Sequence, residues 1–446
     1  MRSVWLSLAA SALWMGCEGS DGAMIDAAEA AVDALEEPHP PDAPPPDAPR
    51  DVSVEAVAPH DVLDATVGAD AADASDAPDA PDAPDAPDAP DAPDAAPALR
   101  VASLSLGGDY TCARMTDHTA RCWGANAFGQ LGDGTTAARP LSAPVTALTD
   151  VLQLSVGYHH ACAFRVDGTL RCWGSAGWGQ LGDGAMTARA TPVTVPGVTG
   201  VSLVAAGDGH TCAIGGDAIV RCWGLNNPGQ VGDGTALNRA SPVVLASLGP
   251  ASQVTCGNSH TCALVRDGRI RCWGANASGQ LGDGTTAART MPVDGPALMD
   301  VSELRAGSHH TCARLRDGAV RCWGANGSGQ LGDGTTTARA TAVAVEGLGL
   351  TTTLDAGGAH TCAITPDGAL WCWGDNAYGQ LGDGSTTTRL RPTRVPLGAA
   401  ATLVAAGPTH TCALTADGAA WCWGDNRGGQ LGDGTMAQRP SPVRVR

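Results

Sequence analysis

The sequence predicts an all-β architecture built from seven copies of one unit, on three observations. The stretch CWGANASGQLGDGT, Cys272 to Thr285, has close relatives beginning at Cys122, Cys172, Cys222, Cys322, Cys372 and Cys422, at a constant spacing of 50 residues. A fixed period of this size is the signature of a repeat fold. Within each unit, short β-type runs alternate with Gly-, Asn- and Asp-rich turns, and no segment sustains a helical apolar period. Each unit also carries two cysteines ten residues apart, at positions that suit the two arms of one hairpin.

The repeats occupy residues 100–446 and are preceded by two segments of different character. Residues 1–17 read as an export signal. Arg2 supplies positive charge, and Val4 to Met15 is an apolar run too short to cross a bilayer as a helix. Gly16-Cys17 ends it and resembles a bacterial lipoprotein signal, which predicts lipidation at Cys17 and a tether that does not span the membrane. Trp14 departs from the smaller aliphatic residue usual there.

Residues 18–99 hold 22 acidic residues and one basic residue, Arg50. Rich in Ala, Asp and Pro and poor in aromatic residues, they cannot bury enough apolar surface to offset the entropy of ordering. Six tandem Asp-Ala-Pro units run from Asp76 to Pro93. Proline at every third position forbids a helix and favours polyproline II, in which the 18 residues would extend roughly 55 Å at about 3.1 Å each. The expectation is a disordered acidic stalk.

The net charge of −19 comes from that stalk, because residues 100–446 hold 24 acidic and 25 basic residues. A near-neutral repeat region argues against nucleic-acid binding, which needs a basic surface. Every basic residue is Arg, and with no Lys there is no phosphate-binding Gly-Lys motif.

One hairpin can be placed in register. Val166-Asp167-Gly168 suits a three-residue loop with Gly168 left-handed. Centring on Asp167 pairs Arg165 with Thr169, Phe164 with Leu170, and Cys162 with Cys172. Opposed cysteines on one face are close enough for a disulfide, and an export signal makes one chemically sensible. The same arithmetic gives Cys112–Cys122, Cys212–Cys222, Cys262–Cys272, Cys312–Cys322, Cys362–Cys372 and Cys412–Cys422. Cys17 and Cys256 are left over. Cys256 replaces the Ala of positions 206, 306, 356 and 406 and reads as a buried small side chain.

The recurring polar residues have structural readings. His160, His210, His260, His310, His360 and His410 share a face with the cysteines, but three ligands per repeat make a poor zinc site, and repeat 1 has Tyr110 instead. One Asp per GQLGDGT loop, such as Asp133 or Asp283, is too few for calcium and suits turn-building. The seven CWG tryptophans, from Trp123 to Trp423, read as core. No metal, cofactor or catalytic constellation is expected.

Function is therefore sought where the repeats differ. The second variable residue of N-x-x-G-Q runs Phe128, Trp178, Pro228, Ser278, Ser328, Tyr378, Gly428, and the first is Arg427 in repeat 7. If the repeats close into a ring, Tyr378, Arg427, Phe128 and Trp178 form one arc of residue types enriched at interface hot spots.

The block G-x-x-H-T-C-A-L-x-x-D-G-x-x-x-C-W-G-x-N-x-x-G-Q-L-G-D-G resembles the regulator of chromosome condensation repeat. That resemblance implies a seven-bladed β-propeller with four-stranded blades, preceded here by the disordered stalk. It also implies closure by joining the two chain ends, with the strand at Pro442 to Arg446 completing the first blade. Nuclear members of the family act as exchange factors for a small GTPase through a wedge-like excursion and bind chromatin. The strict period here leaves no room for an excursion, and the setting is closer to secreted propellers of the family that bind other proteins.

The sequence thus points to an exported, envelope-anchored or extracellular, monomeric and non-catalytic scaffold for a protein or surface ligand. The alternatives are an exchange-factor-like regulator of a small GTPase, or an extracellular lyase or hydrolase working over the pore. The enzyme would require convergent carboxylates that vary between blades.

Overall fold

The computed structural model describes residues 100–446; Cys17 and the Asp/Ala/Pro segment lie outside them. The described residues form twenty-eight strands in seven four-stranded antiparallel sheets, each made from one consecutive repeat. In blade 1 these are β1 (Val101–Leu106), β2 (Tyr110–Met115), β3 (Ala120–Gly124) and β4 (Arg139–Pro144), hydrogen-bonded in that order. The first strand of each blade is innermost and borders a central channel.

The hairpin register is as the loop chemistry dictates. Cys162 lies opposite Cys172, Phe164 opposite Leu170, and the Arg165 amide donates to the Thr169 carbonyl. Gly168 closes the loop at φ 76°. All seven cysteine pairs are bonded, each with Cα atoms 4.1 Å apart. That separation matches a non-hydrogen-bonded antiparallel pair. Cys256 is unpaired and half-buried beside the channel, and burial pushes its thiol up to about 12.

Blades are joined by a polar relay that repeats around the ring. Each CWG tryptophan is at most 1% exposed and donates its indole N–H to the Gln carbonyl of the preceding blade, as from Trp273 to Gln230 (2.8 Å). The Thr261 hydroxyl donates to that same carbonyl (2.8 Å) and meets His210 Nε2 (2.9 Å). Because the hydroxyl proton is committed to the carbonyl, the imidazole must donate from Nε2. Its Nδ1 is left buried without a partner. Protonation there would bury an unpaired charge, and burial accordingly lowers all six of these histidines to about 3.

The seam between blades 1 and 2 is a compensated exception. Ala161 stands where the other repeats have Thr, so a histidine in blade 1 would lack an acceptor. Tyr110 occupies that place and sends its hydroxyl to the His160 carbonyl (2.5 Å).

The ring closes, but not by exchanging a strand. The last strand, Arg439–Arg444, pairs with Ala420–Gly424 of its own blade, and β1 begins a complete blade 1. The expectation that the C-terminal strand completes the first blade is therefore incorrect. The seam between blades 7 and 1 is held by the same relay as the others: Trp123 and Thr111 both donate to the Gln430 carbonyl, and Thr111 meets His410 (2.8 Å). The Gly434 amide adds a bond to the Pro140 carbonyl (3.2 Å). Side-chain bonds that need no chain continuity do at this seam what a shared strand would do in the expected closure.

Candidate functional site

The long loop between the third and outer strands presents the variable residues, and one asparagine fixes its shape. In blade 1, Asn126 accepts from the Leu131 amide and donates to Asp133 Oδ1 and to the Thr135 and Ala137 carbonyls. Asp133 is used up in the same loop, by Thr135 and by Arg139 (2.5 Å). Burial raises its pKa, and the bonds from Thr135 and Arg139 outweigh that and hold it below the ordinary carboxylate value. These loop aspartates build turns and anchor the outer strand. Gln130 accepts the Phe128 amide, so the side chain at 128 leaves a rigid base (2.9 Å).

On that base the four arc residues lie on one face. The Arg427 guanidinium lies 4.9 Å from the centre of the Tyr378 ring, at cation–π distance. Asp425, 1% exposed, holds the guanidinium through three bonds of 3.0–3.2 Å, while the Arg427 side chain is 70% exposed. Phe128 packs on His159 at 4.7 Å between ring centres, and Tyr158 meets the same imidazole edge-on at 4.5 Å. Trp178 packs against Gly209, where a β-carbon would come within 2.7 Å of its ring. Phe128, Trp178 and Tyr158 are 42%, 44% and 37% exposed.

Asp109 sits at the centre of this arc, half-buried. Burial raises its pKa, the Asp425 carboxylate raises it further, and His159 and Arg427 pull the other way. Burial lowers His159, with Asp109 opposing. Asp109, Tyr158, His159 and Asp425 escaped the sequence reading. For Asp109, Tyr158 and His159 the signal was present in the turn after the inner strand, where the repeats read Asp109, His159, Gly209, Ser259, His309, Ala359 and Thr409, while Asp425 follows the third strand, where the repeats read Ala125, Ser175, Leu225, Ala275, Ala325, Asp375 and Asp425.

The channel holds a cavity of about 180 Å³, bordered by one glycine backbone from each blade. Two carboxylates reach it, Asp208 and Asp355, and burial raises each to about 6. Asp355 is already engaged, accepting from the Ala406 amide (2.8 Å) and facing Arg305 (3.4 Å). His210, Cys212 and Cys256 place ligand atoms within 4.8 Å of one another. Cys212 is tied to Cys222 in a disulfide, which leaves only His210 and Cys256, too few for a metal donor set. Among the described residues, the built surface is the aromatic and charged arc on blades 6, 7, 1 and 2.

None of the curated proteins matches this chain in sequence. Among solved structures, human WBSCR16 is similar at TM-score 0.67 and 22% identity, over 74% of this chain and 94% of that one. Prp20p of Saccharomyces cerevisiae, described with its binding to Gsp1p and histones, is similar at TM-score 0.65 and 22% identity, over 78% and 87%. Yeast RCC1 (Prp20) bound to Kap60 gives TM-score 0.65 at 20% identity, over 78% and 85%. At these identities the likeness is one of fold. The sequence itself matches the RCC1-like domain over residues 75–352 and 240–446. Seven CWG repeats, a seven-sheet ring and this match together assign the chain to the RCC1-like domain family.

Proposed function

We propose that this protein is a non-catalytic binding scaffold whose partner, a protein or surface ligand, docks on the arc formed by Tyr378, Arg427, Phe128 and Trp178. The observation that carries the proposal is the cation–π pair of exposed Arg427 on half-buried Tyr378, in line with two exposed aromatic residues on rigid loops. Phe128, Trp178 and Tyr378 stand where the repeat otherwise has Ser, Pro or Gly, and Arg427 stands where it has Ala, Gly or Asn; Trp, Tyr and Arg are residue types enriched at interface hot spots. That similar propellers are described with bound proteins supports a protein as the partner class.

Seven disulfides belong to an oxidising compartment. In this reading Cys17 is lipidated, the protein is anchored at the cell envelope, and the acidic stalk lifts the propeller towards its partner. An exchange-factor-like action on a small GTPase is the alternative; the constant 50-residue period, without room for an inserted wedge, weighs against it.

The test is crosslinking pull-down from intact cells with the purified protein and a variant in which Phe128, Trp178, Tyr378 and Arg427 are all Ala. Loss of the captured partner in the variant is the expected result. Undiminished capture would remove the proposal, and accelerated nucleotide release from a captured GTPase would favour the alternative.

A further inference from the structure

The opposite face carries a second break in the repeat, at the connection from blade 4 to blade 5. Where the outer strand leaves its blade, the other repeats place Val145, Val195, Leu245, Val345, Val395 or Val445. Val145, Val195, Leu245 and Val395 are 2–4% exposed and fill the space between neighbouring blades. Blade 4 has Gly295, which keeps the backbone bond to the Ile270 carbonyl (2.9 Å) but has no side chain to insert. Three residues on, Leu148, Val198, Leu248 and Leu348 are buried, whereas Leu298 is only partly covered. Pro296 fills the side towards Gly282, and a β-carbon on Gly295 would lie 3.2 Å from the Leu281 carbonyl oxygen and 3.3 Å from Ile270 Cγ2.

Against this connection lies a cavity of about 530 Å³, within the range of small-molecule sites. Leu264, Val265, Ile270 and Leu298 form apolar walls. Met299 stands at its mouth, 80% exposed, where other repeats have Thr149, Thr199 or Gly249. An exposed methionine beside an apolar pocket is an adaptable contact for aliphatic groups.

The rim adds charge. Arg269 is paired with Asp267 (2.6 Å), and Asp294 is taken chiefly by Arg271 (3.1 Å), with Arg269 farther off (3.6 Å). Arg266 and Arg316 also border the cavity, one from each blade, and neither has an ion-pair partner among the described residues. Asp300 is the remaining rim carboxylate, so two free guanidinium groups outnumber it. Apolar walls below two unpaired cations complement a chain that is aliphatic at one end and anionic at the other.

We propose that this cavity binds an aliphatic monocarboxylate, its tail against Leu264, Ile270 and Leu298 and its carboxylate between Arg266 and Arg316. The site is independent of the arc, which lies at the other ends of the strands.

The test is calorimetric titration of the full chain with decanoate and, separately, with 1-decanol. Saturable decanoate binding is expected, with 1-decanol weaker. Gly295→Val restores the side chain common to the other repeats and should abolish decanoate binding, with near-ultraviolet circular dichroism confirming an intact tryptophan core. The exposed pair Arg266→Ala and Arg316→Ala should weaken decanoate about tenfold while leaving 1-decanol unchanged. No saturable binding, unchanged binding in Gly295→Val, or equal affinity for decanoate and 1-decanol would each overturn the proposal.

Discussion

At the scale of single residues, the relay of Gln carbonyl, Thr hydroxyl and His imidazole sets how this protein responds to acid. The six buried histidines have native pKa values near 3, against an ordinary 6.5. The unfolded chain therefore binds more protons than the native one between those values. Stability is fully present above pH 6.5 and is lost as pH falls towards 3, by up to about 1.4 kcal/mol per pH unit for each histidine. Asp208 and Asp355, raised to about 6, act in the opposite sense between pH 6 and their ordinary 3.8, but two groups cannot cancel six. A melting temperature that falls steeply from pH 6.5 to 4 is the expected outcome; a flat or rising profile would contradict it. Thr311→Val would strand the His260 Nε2 donor and cost about 1–3 kcal/mol, measurable by denaturant unfolding. The Tyr110–Ala161 seam shows why position matters: the hydroxyl is dispensable only where its histidine is gone.

At the scale of elements, the second and third strands of each blade were legible in full. A three-residue Asp-Gly loop fixes the register, and the register puts the cysteines opposite each other. Iodoacetamide applied to denatured but unreduced propeller should label Cys256 and none of the fourteen paired cysteines, as read by peptide mass spectrometry. Removing one bridge, as in Cys262→Ala with Cys272→Ala, should cost on the order of 2–4 kcal/mol. The fourth strand was not legible, for a reason intrinsic to repeats. A strictly periodic sequence has no phase, so a strand between two cores can be assigned to the blade before it or the one after. The structure assigns it to the blade before. Deleting residues 439–446 should therefore raise amide exchange across Ala420–Gly424 and leave β1 protected. Loss of protection in β1 instead would restore strand-sharing closure.

At the scale of the whole molecule, seven near-identical units make a disc whose faces differ only where the repeat is broken. Phe128, Trp178, Tyr378 and Arg427 could be read as an arc from sequence because each departs from its equivalents in one loop. Asp109, His159 and Asp425 could not be joined to them, since they lie outside the two variable positions of that loop, and only the packed structure brings the inner turns of blades 1 and 2 against it. The blade 4 cavity was equally hidden, because a glycine in a glycine-rich repeat carries no signal until the surrounding walls are seen. The central claim is that the partner is read by the arc spanning the seam between blades 7 and 1. Ala127 and Ala277 are exposed equivalents in the same loop, one inside the arc and one outside it. The direct measurement is photo-crosslinking from a reactive side chain placed at each position on intact cells. A partner adduct from position 127 and none from position 277 is the predicted result, whereas equal adducts, or an adduct from 277 alone, would contradict the account.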